Sequence, residues 1–502
     1  MQKGSFIGIN FGTTNTAVVH LQNDEQGTRI VNLGEGGGEY PFSSVVAVPK
    51  NGGALKFGRE VKDRREELSA DYEIFTSMKS FLGTNKEFKV GANRYTATEI
   101  TSEFLKSVKE YIARVHNIEI KEAGLAFPID FSPEARSELR IAAENAGITV
   151  KCFVSESTAA YLSSREKVRA FSRVMVLDWG GGTFDISILD LKKNAVTEIA
   201  VFGEKVGGDD IDMELARRVH AEIVKKSANV AHIPFDDMNP TDRDTMVAHC
   251  ERAKIEISET VTETDEDYDL TVMDYGMYGT KTVPVSVKYF DELVKPIIHN
   301  RILRSIDKAL GRANMTTAGI DAVIIIGGSS NLSAYERAIT NLFGLDKIIL
   351  TDKPQWSTAI GAAMMQIIGG NFKLSDTLGV LLSDDFIFPL FEASKDGVGS
   401  KISPIDFSLV EDTQNANFIF VNKDEEGVSN ITYERIAVPA KGFLNEKIRL
   451  SGAIADDQIA RINITNSYMG QSAIIASRQV EINKLTFFYD LTDLNQGGRD
   501  EE

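Results

Sequence analysis

Two cysteines in 502 residues, Cys152 and Cys250, leave no disulfide framework and point to a reducing cytoplasm. No apolar run approaches the length of a membrane span, and the opening M-Q-K-G-S-F-I-G-I-N lacks the apolar core of a signal peptide. Basic residues are outnumbered 55 to 73, and the net charge of −18 argues against a general nucleic-acid binder. Six histidines are scattered without ligand spacing, which argues against zinc. What remains is a chain of ordinary globular composition, long enough for about two to four domains.

Glycine is the residue the chain uses pointedly. In Val174–Leu191, V-M-V-L-D-W-G-G-G-T-F-D-I-S-I-L-D-L, an apolar strand runs into Asp178, Gly180, Gly181, Gly182, Thr183 and Asp185, and a second strand follows. Such a loop can take left-handed backbone conformations and leave its N–H groups free to ring an anion. Asp178 and Asp185 bracket it, as a metal ion beside that anion would require. A plain hairpin turn needs only about two loop residues, and this one is overbuilt for that. A dinucleotide fingerprint demands a helix after the glycines, whereas F-D-I-S-I-L-D-L alternates as a strand. Phe6–Leu21, F-I-G-I-N-F-G-T-T-N-T-A-V-V-H-L, repeats the plan 168 residues earlier, with Asn10-Phe11-Gly12 matching Asp178-Trp179-Gly180. The spacing is too long for a solenoid. It predicts two similar lobes, whose hairpins grip a triphosphate from both sides.

Between and beyond these hairpins the elements can be read in order. Phe57–Leu68 has the pattern of one charged amphipathic helix, and Gly34–Gly38 that of a flexible loop. Lys79 stands among apolar residues, a setting that suits a surface helix or a side chain reaching for phosphate. Thr98–Val115 is a helix, and Ala123–Ile129 a buried strand. Ser132 caps the next helix, with Pro133 at its first position and Gly147 beyond its end. Ser155–Ser164 starts with Glu156, which alone reads as N-terminal helix charge. Ala195–Phe202 alternates as a strand, and Gly207-Gly208-Asp209-Asp210 opens a helix to about Lys226. Asp244–Glu259 is helical, acidic Glu263–Asp269 reads as a turn between strands, and Tyr289–Leu310 as one long helix. Ala322–Ile326 is a buried strand ending at Gly327-Gly328-Ser329-Ser330, where a flat ligand can approach the backbone. Thr358–Ile368 is a small-residue helix. After Gly369-Gly370 the helical period gives way to alternating segments (Asn417–Val421, Lys447–Leu450, Arg461–Thr465, Leu485–Tyr489), which predict a β-sandwich. The tail Asn495–Glu502 is polar.

Taken together, G-I-N-F-G-T-T-N-T, S-E-S-T-A-A, D-W-G-G-G-T-F-D-I-S-I, V-G-G-D-D-I-D, E-R-A-K-I-E-I-S, I-I-I-G-G-S-S-N and A-I-G-A-A stand in the order found in the seventy-kilodalton heat-shock chaperone family. Each motif is short enough to recur by chance; the ordered set, over about the first 370 residues, is not. The chain resembles that family. The resemblance implies an α/β, actin-like ATPase fold of two duplicated lobes around a nucleotide cleft (residues 1–370), then a C-terminal β-sandwich (374–495) that binds peptide. It implies ATP or ADP with magnesium, extended or unfolded peptide or a specific client as partner, and possible co-chaperones.

Carried over by position, Gly12, Thr13, Thr14 and Gly180–Thr183 would hold phosphates. Lys79 would neutralise the γ-phosphate. Asp178 would act near magnesium and the attacking water, with Asp185, Glu156 and Asn10 around the metal. Glu251, Lys254, Ser258, Gly327, Gly328 and Ser329 would contact the nucleoside, with Gly208, Asp209 and Asn331 nearby. From residue types alone, Glu251, Lys254 and Ser258 would read as an exposed charged stripe.

The departures from the family pattern matter. Asn10 and Gln355 stand where carboxylates are usual, and Asn331 where many members have an arginine. The usual apolar-acidic linker is not recognisable in Ile367–Leu378, and no helical lid follows the β segments. Two readings follow: a chaperone with slow hydrolysis, or a nucleotide-gated interaction protein with little or none. A third, a small-molecule kinase of the same fold, lacks a candidate base.

Overall fold

The computed structural model describes residues 4–491, apart from 26, 129–130, 193–194, 228–230, 261–266, 352, 369–370, 424–433, 441–445, 468–473 and 484. Two large sheets share one plan. In the first, β1 (Gly4–Phe11) and β2 (Asn15–Asp24) form a hairpin, which β3 (Gly27–Asn32) extends antiparallel. On the far side of β1 lie, parallel to it, β4 (Glu122–Phe127) and β5 (Thr149–Ser155). In the second sheet, β6 (Arg173–Trp179) and β7 (Phe184–Lys192) make the hairpin and β8 (Ala195–Glu204) extends it. Here β9 (Ala322–Ile326) and β10 (Ile348–Ile349) are the parallel strands. The order β5-β4-β1-β2-β3 recurs as β10-β9-β6-β7-β8. The apolar run of β9 is buried at every residue, as a parallel strand covered on both faces must be.

Helices cover these sheets where the sequence supplies caps. The helix α1 (Ala97–Val115) opens with a Thr96–Glu99 capping box, and α2 (Pro133–Asn145) with Ser132 accepting from the Ala135 N–H. Both pack on the first sheet. The helices α3 (Glu156–Val168), α4 (Gly208–Lys226), α5 (Pro240–Thr260) and α6 (Ser357–Ile368) complete the layers. The last of these packs on α3 and on β1, β2 and β4, while α3 touches β6 and β9, so the pair joins the two sheets.

Several expectations are corrected. Phe57–Leu68 is two short helices, Arg59–Asp63 and Arg65–Ser69, broken at Arg64; the break leaves Lys62 and Asp63 facing Glu251 and Arg252 of α5. Gly34–Gly38 is a fixed turn rather than a loose loop. Glu35 and Tyr40 close it, and the Glu35 carboxylate accepts from the Ser43 and Arg59 N–H groups. Tyr289–Leu310 is interrupted by a π-helical turn at Ile298–Ile302, just after Pro296 removes a backbone donor. Of acidic Glu263–Asp269, residues 263–266 lie outside the described residues, and the neighbours are α5 and the strand Tyr268–Tyr275, not two strands.

The C-terminal segments form two four-stranded sheets. One holds Ile387–Phe391, Thr377–Leu381, Asn415–Lys423 and Glu434–Pro439; the other holds Lys401–Ser408, Lys447–Ile454, Ala460–Ser467 and Ile474–Ile482. Val380, Phe418 and Phe420 share a core with Ile448, Leu450, Ile462 and Ile464 from the opposite sheet. The segment expected as the last sandwich strand goes elsewhere. The short strands β11 (Asn371–Leu374) and β12 (Phe487–Asp490) extend the second large sheet, with β12 between β8 and β11. Tyr489 is the reason: its ring is fully buried and 5.1 Å from that of Phe372. Gly369-Gly370, Ile129 and the tail Asn495–Glu502 lie outside the described residues.

Candidate functional site

The two hairpins have turns of equal length. The last pair Phe11↔Thr16 leaves Gly12–Asn15 as one loop, and Trp179↔Phe184 leaves Gly180–Thr183 as the other. Within the second loop the Gly180 N–H donates to the Thr183 carbonyl at 2.9 Å. None of Gly180, Gly181 and Gly182 has a positive φ, which corrects the expected use of left-handed backbone. Their smallness serves close approach instead: a Cβ on Gly181 would sit 2.4 Å from Thr14 Oγ1 of the opposite hairpin. Carbonyls of this loop are anchored from behind. The Gly208 N–H donates to the Gly180 carbonyl at 3.2 Å, Asp209 N–H to that of Gly181 at 2.8 Å, and Ser329 Oγ to that of Gly180 at 2.8 Å. With these carbonyls tied down, the loop geometry is fixed before any ligand arrives. Gly327, at φ 89°, passes so near that a Cβ would lie 2.5 Å from Asp178 Oδ1.

Between the loops lies a cavity of about 650 Å³, a size suited to a small-molecule ligand. It is lined by Asn10, Gly12, Thr13, Thr14, Lys79, Glu156, Asp178, Gly180, Gly181, Gly182, Thr183, Asp185, Asp209, Glu251, Lys254, Gly327, Gly328 and Ser329. Three predicted residues do not line it. Gly208 lies just behind, where a Cβ would meet Lys254 Nζ and Ser329 Oγ. Ser258 turns its hydroxyl to the Ile255 carbonyl, and Asn331 is exposed at the end of a short 3-10 turn.

Charge in the cavity is unevenly compensated. Ser77, in the left-handed region at φ 57°, starts the 3-10 turn Met78–Phe81 that carries Lys79 inward. Lys79 Nζ lies 2.5 Å from Glu156 Oε1, with both side chains largely buried. The Asp178 carboxyl is pushed up to about 8, first by burial, then by Glu156 and Asp185, against the pull of Lys79. At the other end Lys254 Nζ is 2.7 Å from Asp212 Oδ2 and also donates to the Gly208 carbonyl. Burial works against its charge, but Asp212 and Glu251 outweigh burial and hold it above the ordinary lysine value. Glu251 pairs with Lys62 at 2.5 Å, so the expected exposed stripe is instead an enclosed ionic network.

The residues fit an anionic ligand with a hydrated cation. Asn10 Oδ1, Thr14 Oγ1 and Gln355 Oε1 are buried without hydrogen-bond partners, and all three residues line the cavity. The oxygen-rich donor set and the raised Asp178 carboxyl suit a hard cation. Among the described residues no three carboxylate, histidine or cysteine groups converge tightly enough to hold a metal directly.

Sequence reasoning missed Asp212, Lys62 and Ile255. Asp212 could have been found, since it follows Gly208 by one helical turn and so shares its buried face. Lys62 could not, because its partner Glu251 is 189 residues away.

A family model described as Hsp70 protein matches residues 50–428. The chain belongs to the Hsp70 family of chaperones. Chaperone protein DnaK of Thermotoga petrophila is 28% identical over 498 residues, covering 95% of this chain and 81% of its own. That of Mycoplasmopsis pulmonis is 28% identical over 445 residues, covering 87% and 70%. Membership implies an actin-like ATPase fold followed by a C-terminal β domain, and the mixed α/β sheets described above are of that kind. Among the described residues no helix is long and apolar enough to cross a membrane.

Proposed function

We propose that this protein is an ATP-binding chaperone with slow magnesium-dependent hydrolysis, whose C-terminal β domain holds extended peptide or a specific protein client. On this reading residues 1–370 are two duplicated lobes closing on a nucleotide, and 374–495 the substrate domain. The observation that carries it is the approach of Gly181 to Thr14, which brings two like hairpins onto one cavity. Gly12–Thr14 and Gly180–Thr183 present backbone N–H groups and hydroxyls to the phosphates. Glu251, Lys254 and Gly327–Ser329 line the nucleoside end. Bound magnesium supplies charge neutralisation for the phosphates. Lys79 holds its ammonium against the terminal phosphate, and Glu156 aims that ammonium. Asp178 orients the attacking water, and Asp185 sits across the ladder from it. Phosphoryl transfer depends on such positioning more than on covalent help. Steady-state turnover of magnesium-ATP by the full chain, beside Lys79→Ala and Asp178→Asn, tests the scheme; turnover indifferent to both changes would remove it.

A second reading, a nucleotide-gated interaction protein that binds ATP but hardly cleaves it, is favoured by one observation. Asn10 and Gln355 line the cavity with amides rather than carboxylates, and their side-chain oxygens are buried without hydrogen-bond partners. Tight ATP binding with negligible turnover in the unmodified chain would select it.

A further inference from the structure

Glu198 belongs to none of the groups above, yet it is held more firmly than most of them. It lies on β8 beside a bulge: Ala200 pairs with Ile188 and Glu198 with Leu189, so Ile199 is the extra residue. A bulge re-aims the neighbouring side chain. That of Glu198 reaches the first turn of α3. There its Oε1 accepts from Ser155 Oγ at 2.5 Å, Ser157 Oγ at 2.6 Å and Thr158 Oγ1 at 3.1 Å.

An ordinary helix cap does not account for this. Ser155 already caps α3, its Oγ accepting from the Thr158 N–H at 3.2 Å. Three hydroxyls spending their protons on one carboxylate oxygen lock three side-chain rotors at once. The carboxylate also lies at the positive end of a 13-residue helix. Between Ser155 and Ser157 stands Glu156, whose carboxylate lies 2.5 Å from Lys79 Nζ. Glu198 itself does not line the cavity.

We propose that Glu198 is a positioning residue: by tying Ser155, Ser157 and Thr158 together it fixes the turn from which Glu156 aims Lys79 at the terminal phosphate. The proposal rests on the hydrolase reading for its kinetic consequence, but its structural consequence stands alone. Glu198 acts through Glu156 and touches no substrate, so nucleotide binding should be spared.

Three variants test it: Glu198→Ala, Glu198→Gln and Ser157→Ala, each measured for ATP turnover, ATP affinity and crystal structure. Glu198→Ala is expected to lower turnover by up to about 100-fold, the scale of a displaced catalytic group, with ATP affinity little changed. Its crystal structure should have the Glu156 carboxylate off Lys79. Glu198→Gln, whose amide oxygen still accepts from the hydroxyls, should recover most of the turnover. Ser157→Ala, which removes one arm, should fall between the two. Wild-type turnover in Glu198→Ala, equal losses in the Ala and Gln variants, or a parallel loss of ATP affinity would each overturn the proposal. Should Glu198→Ala fail to fold, Ser157→Ala against Glu198→Gln carries the same comparison. Should the unmodified chain not turn over ATP at all, the hydrolase reading falls. The Glu156–Lys79 contact in the paired structures then decides this inference, and an unchanged contact overturns it.

Discussion

The two large sheets have one topology and different chemistry. At equivalent rungs of the two hairpins, the first pairs Asn10 with Ala17 and the second pairs Asp178 with Asp185. The first therefore offers an amide and a methyl where the second offers two carboxylates. The edges differ as well. The second sheet continues past β8 into β12 and β11, so the C-terminal region joins it through a backbone ladder. Among the described residues, the first meets that region through side chains: Arg140 and Arg136 of α2 contact Asp457 and Gln458. The shared strand order brings two loops together, while the two sheets differ in charge and in what they attach to. The first hairpin presents neutral groups at this rung, and the second presents two carboxylates and carries the ladder to the C-terminal region.

The largest effect is expected from cutting the ladder. Tyr489→Ala removes a fully buried ring between β12 and Phe372 and should cost about 3–5 kcal/mol in urea unfolding. It should also expose the chain around 485–491 to protease. Next comes the charge in the second half's reach: Lys79→Ala should lower ATP turnover about 10²–10³-fold in single-turnover assays, the scale of losing one preorganised electrostatic partner.

Erasing the asymmetry gives a smaller effect of opposite sign. Asn10→Asp with Gln355→Asp should tighten magnesium binding in the presence of ADP about ten-fold by titration calorimetry, and raise turnover with it. No change would mean that the two amide oxygens do not face the metal.

The smallest effect concerns the other docking contact. Asp457 is fully buried; burial alone would raise its pKa, but Arg461 and Arg140 outweigh burial and hold it below the ordinary aspartate value. Its contribution is thus fully present above the unfolded value of about 3.9 and fades as pH falls through the lower folded one. Asp457→Asn should flatten the acid limb of the stability curve and leave the limb above pH 5 nearly parallel to wild type.

Local grammar made much of this legible. Ser132, Pro133 and Gly147 marked a helix whose cap and left-handed terminus are present as read. Ala322–Ile326 was readable because a buried parallel strand is an unbroken apolar run. Errors arose where a distant partner overrules the local pattern. Leu485–Tyr489 alternates like its neighbours, yet Tyr489 finds its pocket against Phe372 in another sheet. The glycines of the central loop were rightly singled out, but for the wrong property: space for Thr14 matters there, not backbone handedness.

By itself the amino-acid order determined the repeated hairpins, the family and most of the residues around the cavity, because turns, caps and strand periodicity are short-range physics. Only the tertiary structure decided which polar groups meet: Lys62 with Glu251, Lys79 with Glu156, Glu198 with three hydroxyls at the start of α3. Such pairs are separated by 40 to 189 residues. No local rule spans that interval, since long-range contacts are chosen by packing of whole sheets and helices and not by the propensities of their neighbours.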